Sequence, residues 1–386
     1  MVVRPSVAEE IAPRTAMPLE TALLEHWMRL YYFEVDYDIG SSGVQDYSLR
    51  EIREMLGISW EELDDLVFHD SQTLGGEDAR QALADRFLDG DASRAMITHG
   101  STEANFLIMT GLLRAGDDVV VLDPFYQQLY AVAEAVGCRL HRWPLRPERS
   151  FRPDFNELRE LVTTSTKMIV VNFPHNPTGA TLTAAEQQEL LDVAESVGAY
   201  LVWDGAFTTL TYDSDPLPEP VLRYERAISM GTFSKAYGLP GLRVGWCLAS
   251  QEVLATFAHL RDYTLLHLSP LVEKLAAHVL RHAERLTEPR RVQAQVHRQL
   301  LDDWIRQRSH QVRWVLPQGG VCGFPELLVG ENVETLCHRL AQEHRVLLVP
   351  GICFGMERHV RLGFGGSQEN LEGGLERLGR LLDSVG

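Results

Sequence analysis

Three short runs of apolar, mostly β-branched residues constrain the fold more than any other feature of the chain. They are residues 167–174 (KMIVVNFP), 199–205 (AYLVWDG) and 226–233 (RAISMGTF). Continuous hydrophobicity of this kind is typical of strands that are buried on both faces of a parallel sheet. Helical and strand patterns also alternate from residue 77 to residue 198. The sequence therefore predicts an α/β fold with a mostly parallel central sheet and ligands bound beyond the carboxyl ends of its strands.

The pattern changes after about residue 275. Two long charged helical segments, residues 270–286 and 292–308, precede short strand-like runs and a terminal helix. This change predicts a smaller α+β domain. We expect an N-terminal segment joining that small domain (1–44), a large ligand-binding domain (45–275) and the C-terminal small domain (276–386).

Charge and cysteine content exclude several functional classes. The formal net charge is −18 over 386 residues, which disfavours nucleic acid and anionic membranes as partners. The five cysteines are scattered and lack CxxC spacing, so a disulfide framework or a zinc site is not expected. The N-terminus, MVVRPSVAEEIAPRTAM, has no apolar core for a signal peptide, and no apolar run is long enough to span a membrane. We therefore expect a cytoplasmic protein that binds no metal.

Polar residues follow several of the predicted strands. In ITHGSTEANF, Ser101 and Thr102 open a helix directly after a strand. Free backbone N–H groups and the positive end of the helix dipole favour phosphate at such a position. The alternative is an ordinary helix cap by Ser101, with Glu103 in the first turn.

Two further strands end in residues that suit a small-molecule site. Asn176 lies in the turn HNPTGA, although a plain Pro-Gly turn explains that stretch equally well. Asp204 ends the apolar run AYLVW. A carboxylate there is costly unless a cation or hydrogen-bond donor faces it, and a helix cap is the simpler explanation.

The segment 231–246, GTFSKAYGLPGLRVGW, places Lys235 among small uncharged residues. A lysine in a pocket with a lowered pKa forms Schiff bases, whereas most lysines lie on solvated surfaces. The glycine spacing is not a dinucleotide fingerprint, because Pro240 interrupts a segment that would have to open a helix.

Each motif is weak alone, but their order and spacing resemble the fold-type-I pyridoxal 5′-phosphate (PLP) enzymes of the aspartate aminotransferase family over nearly the whole chain. The resemblance implies that Lys235 binds PLP covalently and then acts as the catalytic base. It implies that Asp204 pairs with the ring nitrogen, that Asn176 donates to the ring oxygen, and that Tyr126 in DPFYQQLY stacks on the ring. The phosphate would be bound by the following residues: Ser101, Thr102, Thr232 and Arg243. A homodimer is also implied, because active sites of this family lie at a subunit interface.

Two positions depart from the family pattern. Phe207 stands where many members have a tyrosine that donates to the ring oxygen. In FHDSQTLGGEDAR, Asp70 or Ser71 replaces the tyrosine that reaches the partner subunit's phosphate. An acid there would repel phosphate, so Asp70 is a candidate for binding a cationic substrate, with a solvated loop carboxylate as the alternative.

A narrower resemblance accounts for these departures. The stretches DIGSSGV, FHDSQTLGG and GTFSKAYGLPGLRVGWC are similar to those of capreomycidine-synthase-like enzymes of antibiotic pathways. This resemblance implies β-elimination and intramolecular cyclisation of a β-hydroxylated L-arginine. Arg361 would bind the substrate's α-carboxylate, and Ser41 and Ser42 would hydrogen-bond the carboxylate or hydroxyl group. An ordinary aminotransferase of basic or aromatic amino acids and a non-catalytic PLP-fold sensor are the alternatives.

Overall fold

The computed structural model describes residues 17–385. Its centre is a seven-stranded sheet whose strands are β2 (Ala95–Thr98), β3 (Asp118–Asp123), β4 (Arg139–Pro144), β5 (Thr166–Asn172), β6 (Tyr200–Asp204), β7 (Ala227–Thr232) and β8 (Gly245–Leu248). Six of them, all except β4, are buried at nearly every position, as continuous apolar runs predict.

The order of strands in the sheet is β2-β8-β7-β6-β5-β3-β4. Every pair among β3 to β7 is parallel, and β8 alone runs antiparallel to its neighbours β2 and β7. The predicted α/β fold with a mostly parallel sheet is confirmed. Because β8 runs the opposite way, its first residues lie at the same edge as the carboxyl ends of the other strands.

Helices surround the sheet. They are α4 (Glu77–Phe87), α5 (Gly100–Leu112), α6 (Ala131–Val136), α7 (Phe155–Leu161), α8 (Ala184–Val197) and α9 (Gln251–Arg261). Two earlier helices, α2 (Leu49–Leu56) and α3 (Trp60–Asp64), were not predicted. The sequence signal for α2 is a capping box, in which the Ser48 side chain accepts from the Glu51 amide and the Glu51 side chain accepts from the Ser48 amide.

Two long helices lead into the small domain, α10 (Pro270–Arg281) and α11 (Ala283–Gln307). The predicted helical segments, 270–286 and 292–308, leave a gap that contains Pro289, but the break lies at His282 and Pro289 is inside α11. A proline removes one backbone donor from a helix, and Leu286 and Ala294 remain buried on either side of it. This burial holds the helix continuous through the proline.

The small domain contains short strands and two helices: β9 (Val312–Arg313), β10 (Cys322–Gly323), β11 (Glu326–Leu327), α12 (Val333–His344), β12 (Val346–Leu347), β13 (Val349–Pro350), β14 (Val360–Gly363) and α13 (Gln368–Val385). From the N-terminal segment, α1 (Leu23–Tyr31) precedes β1 (Tyr37–Asp38), which pairs in parallel with β12. This pairing is what the assignment of residues 1–44 to the small domain requires. The boundaries 1–44, 45–275 and 276–386 stay predictions.

Among residues 17–385, no helix combines the length and the apolar character needed to cross a membrane. Residues 1–16, on which most of the signal-peptide prediction rests, lie outside the described part of the chain.

Candidate active site

Lys235 lies three residues beyond the carboxyl end of β7, with its side chain directed into a cavity of about 510 Å³. Its Nζ donates a hydrogen bond to the hydroxyl of Ser42 at 3.0 Å. Burial disfavours the ammonium ion and, with repulsion from Arg361, lowers the pKa of Lys235 below its usual value. The structure therefore places this lysine in a pocket, and the alternative of a solvated surface lysine does not apply.

A cradle for an anion lies where β8 begins and α5 begins. Arg243 Nη1 donates to Ser234 Oγ at 3.1 Å and to the Pro240 carbonyl at 2.9 Å. Thr232 Oγ1 lies 3.0 Å from Ser234 Oγ. Gly100 has φ +73°, and a Cβ atom there would lie 2.8 Å from Arg243 Nη2. Only glycine leaves this space open, beside a guanidinium that forms no salt bridge within residues 17–385.

The start of α5 differs from the simpler of the two sequence interpretations. The helix begins at Gly100, His99 is its N-cap residue, and no side chain caps it. Ser101 is therefore inside the first turn and lines the cavity, so the predicted cap by Ser101 is wrong. Thr102 is exposed and donates to Gln128 Oε1 at 3.2 Å, and it is not among the residues that line the cavity.

Asp204 is a buried carboxylate at the end of β6. It is 6% exposed, and its Oδ1 accepts a hydrogen bond from the Ala206 amide at 3.0 Å. Burial raises the pKa of Asp204 to about 6, against the opposing effects of that amide and of Lys235. No salt bridge reaches Asp204 within the described residues and no helix follows it, so the helix-cap alternative is wrong. The carboxylate lacks a cation at a position that faces the cavity.

Asn176 and Arg361 meet on another wall of the cavity. Arg361, on β14, is 2% exposed; its Nε donates to the Gly40 carbonyl at 3.0 Å and its Nη1 to Asn176 Oδ1 at 3.4 Å. The Asn176 amide donates to Asn172 Oδ1 at 2.8 Å. No carboxylate pairs with Arg361 within residues 17–385. A buried guanidinium without a carboxylate partner suits the α-carboxylate of an amino acid.

The N-terminal segment covers the cavity. The Val44 amide donates to the Lys235 carbonyl at 3.3 Å, and the Gly363 amide donates to the Ile39 carbonyl at 2.8 Å. These bonds place Ser41 and Ser42 between Lys235 and strand β14. The Ser41 hydroxyl donates to Asp38, whereas Ser42 is 2% exposed and bonds Lys235. Binding of substrate by either serine stays a prediction.

Tyr126 lies three residues beyond the end of β3 and lines the same cavity. Its hydroxyl donates to Glu25 Oε1 at 2.6 Å. Burial and the neighbouring Glu25 carboxylate raise the pKa of Tyr126 well above its usual value. The phenol therefore stays protonated and is fixed against α1.

The two positions that depart from the family pattern differ in location. Phe207 is buried and lines the cavity. Asp70 is fully exposed and pairs with His267 at 3.2 Å. Within its own subunit Asp70 does not line the cavity, so it cannot bind the substrate there. Ser71 donates to Glu273 Oε2 at 2.6 Å.

Three of the cavity residues that were not predicted form hydrogen bonds that hold the predicted ones or their loops in place. Ser234 links Arg243 to Thr232, and Asp38 accepts from the loop that carries Ser41 and Ser42. Glu25 bonds Tyr126 from a helix about 100 positions earlier in the chain. No spacing rule connects Glu25 to Tyr126. Ser234, by contrast, adjoins Lys235 and could have been found from the sequence.

The arrangement fits PLP. An anion cradle, a desolvated lysine and a buried carboxylate without a cation match the phosphate, aldehyde and ring nitrogen of that cofactor. On this sheet, such a site defines the class of fold-type-I PLP enzymes. The model of the family "Aminotransferase class I and II" matches residues 65–378. The chain belongs to that family.

Individual relatives are similar over almost their full length. Capreomycidine synthase of Streptomyces vinaceus is 43% identical over 359 residues, which cover 92% of each chain. The crystal structure of the PLP-dependent cyclase OrfR superposes with a TM-score of 0.91 at 40% identity, covering 97% of this chain and 100% of that one. A PLP-dependent aminotransferase from Streptococcus suis has a TM-score of 0.91 at 30% identity, covering 96% and 99%.

Proposed function

We propose that the protein is a PLP-dependent enzyme of antibiotic biosynthesis that acts on a β-hydroxylated L-arginine. It removes the β-hydroxyl group as water and closes the guanidine onto Cβ, giving a six-membered cyclic guanidino amino acid. The observation that carries this proposal is the 43% identity to capreomycidine synthase over 92% of both chains. The 40% identity to a PLP-dependent cyclase supports ring closure as the outcome.

When bound, PLP withdraws electrons from the substrate's Cα and makes the Cα proton acidic. Asp204 would pair with the ring nitrogen and keep it protonated by its negative charge. Arg243, Ser234, Thr232 and Ser101 would hold the phosphate group at the cradle beside Gly100.

Lys235 takes the Cα proton. Its lowered pKa leaves more of the amine in the basic form near neutral pH. Ser42, 3.0 Å from Nζ, orients the amine, while Arg361 binds the α-carboxylate through its free N–H groups. With the substrate held at both points, addition of the guanidine to Cβ is unimolecular, which makes positioning the main contribution of the protein.

An ordinary aminotransferase would use the same residues, so the product separates the two functions. We expect purified holoenzyme incubated with synthetic 3-hydroxy-L-arginine to yield a cyclic guanidino amino acid. The product should be about 18 mass units lighter than the substrate, because intramolecular ring closure releases one water per substrate. No keto acid should be consumed. Mass spectrometry identifies the product, and the visible spectrum of the cofactor shows whether pyridoxamine phosphate accumulates.

The matched controls are two lysine variants. Lys235→Ala should form no cyclic product and should lose the visible absorbance of the lysine-bound cofactor. Lys274→Ala should retain both, because Lys274 pairs with Glu62 at 2.7 Å and does not line the cavity. Steady formation of a keto acid and pyridoxamine phosphate by the wild type would contradict the proposal.

We further infer a homodimer in the cytoplasm. A patch of exposed apolar side chains supports the dimer; we call it the dimer patch, and its residues are Val67, Phe68, Tyr263, Leu265 and Leu266. The Asp70–His267 pair shows that its two segments are adjacent. A second copy of the chain is the occupant that the family resemblance implies. The five free cysteines support a reducing compartment.

A further inference from the structure

Four carboxylates line the cavity, and the contacts or positions of three of them do not suit a buried cationic ligand. Asp204 is at the proposed ring-nitrogen position. Asp38 accepts from the Gly40 and Ser41 amides, each at 2.9 Å, and from the Ser41 hydroxyl. Asp46 is exposed at the mouth of the cavity, where its carboxylate is open to solvent. The fourth carboxylate is Glu25.

Glu25 lies on α1 and is partly buried. Tyr126 Oη donates to Glu25 Oε1 at 2.6 Å, and Gln128 Nε2 donates to the same oxygen at 3.1 Å. Within residues 17–385 no group donates to Oε2, and no lysine or arginine forms a salt bridge with Glu25. Two donors on one oxygen fix the orientation of the carboxylate and leave the other oxygen open to a ligand.

This geometry suits a cation in the cavity. A guanidinium ion presents paired N–H donors, which match a carboxylate oxygen with unused lone pairs. The arginine side chains that line the cavity or its cradle are engaged elsewhere: Arg361 donates to Gly40 and Asn176, and Arg243 donates to Ser234 and Pro240. Lys235, the third cation, attracts Glu25 through space but forms no salt bridge with it and donates its hydrogen bond to Ser42. The cation that pairs with Glu25 is therefore supplied by the ligand.

We infer that Glu25 is the specificity residue that binds the guanidinium group of the substrate. The inference rests on the proposed function for the identity of the substrate. Arg361 binds the α-carboxylate and Glu25 the opposite end of the molecule, so the reacting carbons lie between two charged anchors. Selection for an arginine side chain follows, because an uncharged side chain would leave one oxygen of the partly buried carboxylate without a partner.

Binding of two amino acids that have no β-hydroxyl group to lose tests the inference. L-Norleucine has the aliphatic stem of L-arginine without its guanidinium group. Isothermal titration calorimetry on the holoenzyme compares wild type with Glu25→Gln. We expect the variant to bind L-arginine roughly 10- to 100-fold more weakly, a loss typical of a hydrogen bond between charged groups. Its affinity for L-norleucine should change by less than about threefold.

Two more variants keep the test decisive. Asp46→Asn removes a charge from the cavity mouth and should alter L-arginine affinity by less than about threefold. Glu25→Asp keeps the negative charge. It should therefore show a stronger preference for L-arginine over L-norleucine than Glu25→Gln shows. An unchanged visible cofactor spectrum shows that each variant is folded. If Glu25→Gln weakens both probes equally or neither, or if the Asp and Gln variants show the same preference, the inference is wrong.

The two proposals fail separately. If the wild type makes the cyclic product and Glu25→Gln keeps its preference for L-arginine, the proposed function stands and the role of Glu25 is wrong. If the wild type makes no cyclic product while Glu25→Gln loses the preference, cyclisation is wrong and Glu25 still selects a guanidinium side chain.

Discussion

The chain contains three lysines, and their surroundings separate Lys235 from the other two. Lys167 lies 5.4 Å from the centre of the Tyr200 ring, and Lys274 pairs with Glu62. Lys235 alone lines the cavity, where burial lowers its pKa. At the scale of single residues, desolvation rather than residue type distinguishes the lysine that we propose to be reactive.

Asp204 provides a prediction at this scale. Its pKa is raised in the folded, cofactor-free protein to about 6, so the folded state binds a proton more tightly than the unfolded state does. Stability must then fall as pH rises from about 4 to above 6. We expect Asp204→Asn to stabilise the cofactor-free protein at pH 7 by about 3 kcal/mol, because two units of pKa correspond to that free energy.

Thermal denaturation of both cofactor-free proteins between pH 4 and 8 measures this effect. The difference between the two should shrink towards acidic pH. Parallel pH profiles for wild type and Asp204→Asn would contradict the assignment. With PLP bound, the wild type should be more stable than Asp204→Asn. The variant lacks the partner of the protonated ring nitrogen and should bind the cofactor more weakly.

At the scale of elements, the start of α5 is held in place from behind the cradle. The Arg261 side chain, on α9, is fully buried; its Nε donates to Glu103 Oε1 at 2.8 Å and its Nη2 to Glu103 Oε2 at 2.9 Å. It also donates to the carbonyls of Ile97 and Thr73. This network joins β2, α5 and α9, so the turn at Gly100 is positioned by residues that do not line the cavity.

Glu103→Gln should therefore destabilise the protein by about 3–5 kcal/mol, because it leaves a buried guanidinium without its counter-charge. Although burial raises the pKa of Glu103, hydrogen bonds from His99 and Arg261 lower it to about 2. The stabilisation should thus be complete above pH 4.5 and be lost as pH falls towards 2. Urea denaturation monitored by circular dichroism measures the change.

Glu284→Gln is the matched control for that variant. Glu284 pairs with Arg86, but its side chain is 70% exposed. Exposed pairs contribute little, so this variant should change stability by less than about 1 kcal/mol. Equal losses in the two variants would contradict the role assigned to the buried pair.

At the scale of the whole molecule, the dimer patch brings exposed apolar side chains from two segments of the chain to one surface. Phe68 is 72% exposed and Tyr263 is 81% exposed. Such side chains at one site favour association with another surface. We expect Phe68→Asp to shift the protein from dimer to monomer in analytical ultracentrifugation, since a carboxylate would be buried between two subunits.

Leu222→Asp serves as the control, because Leu222 is exposed but lies outside the dimer patch. It should remain dimeric. A wild type that sediments as a monomer at micromolar concentration would overturn the dimer proposal, and a dimeric Phe68→Asp would show that another surface is used.

Much of the sheet and of the cofactor site could be predicted from sequence. Continuous apolar runs indicated β5, β6 and β7, and the residues that follow them, Asn176, Asp204 and Lys235, line one cavity because parallel strands end at one edge. The helix boundaries were less predictable. The break at His282 and the continuous helix through Pro289 depend on side-chain packing, which local propensity does not describe.

The sequence by itself predicted the buried strands and the polar residues that follow them, and its resemblance to the aspartate aminotransferase family indicated PLP as the cofactor. The strands and the residues at their ends are local features, since each motif needs only a strand end and the residues directly after it. Tertiary structure alone decided which groups from distant segments share the cavity. Ser42 reaches Lys235 across 193 positions, and Glu25 reaches Tyr126 across 101. Such contacts arise when separately formed elements pack together, and no sequence period encodes them.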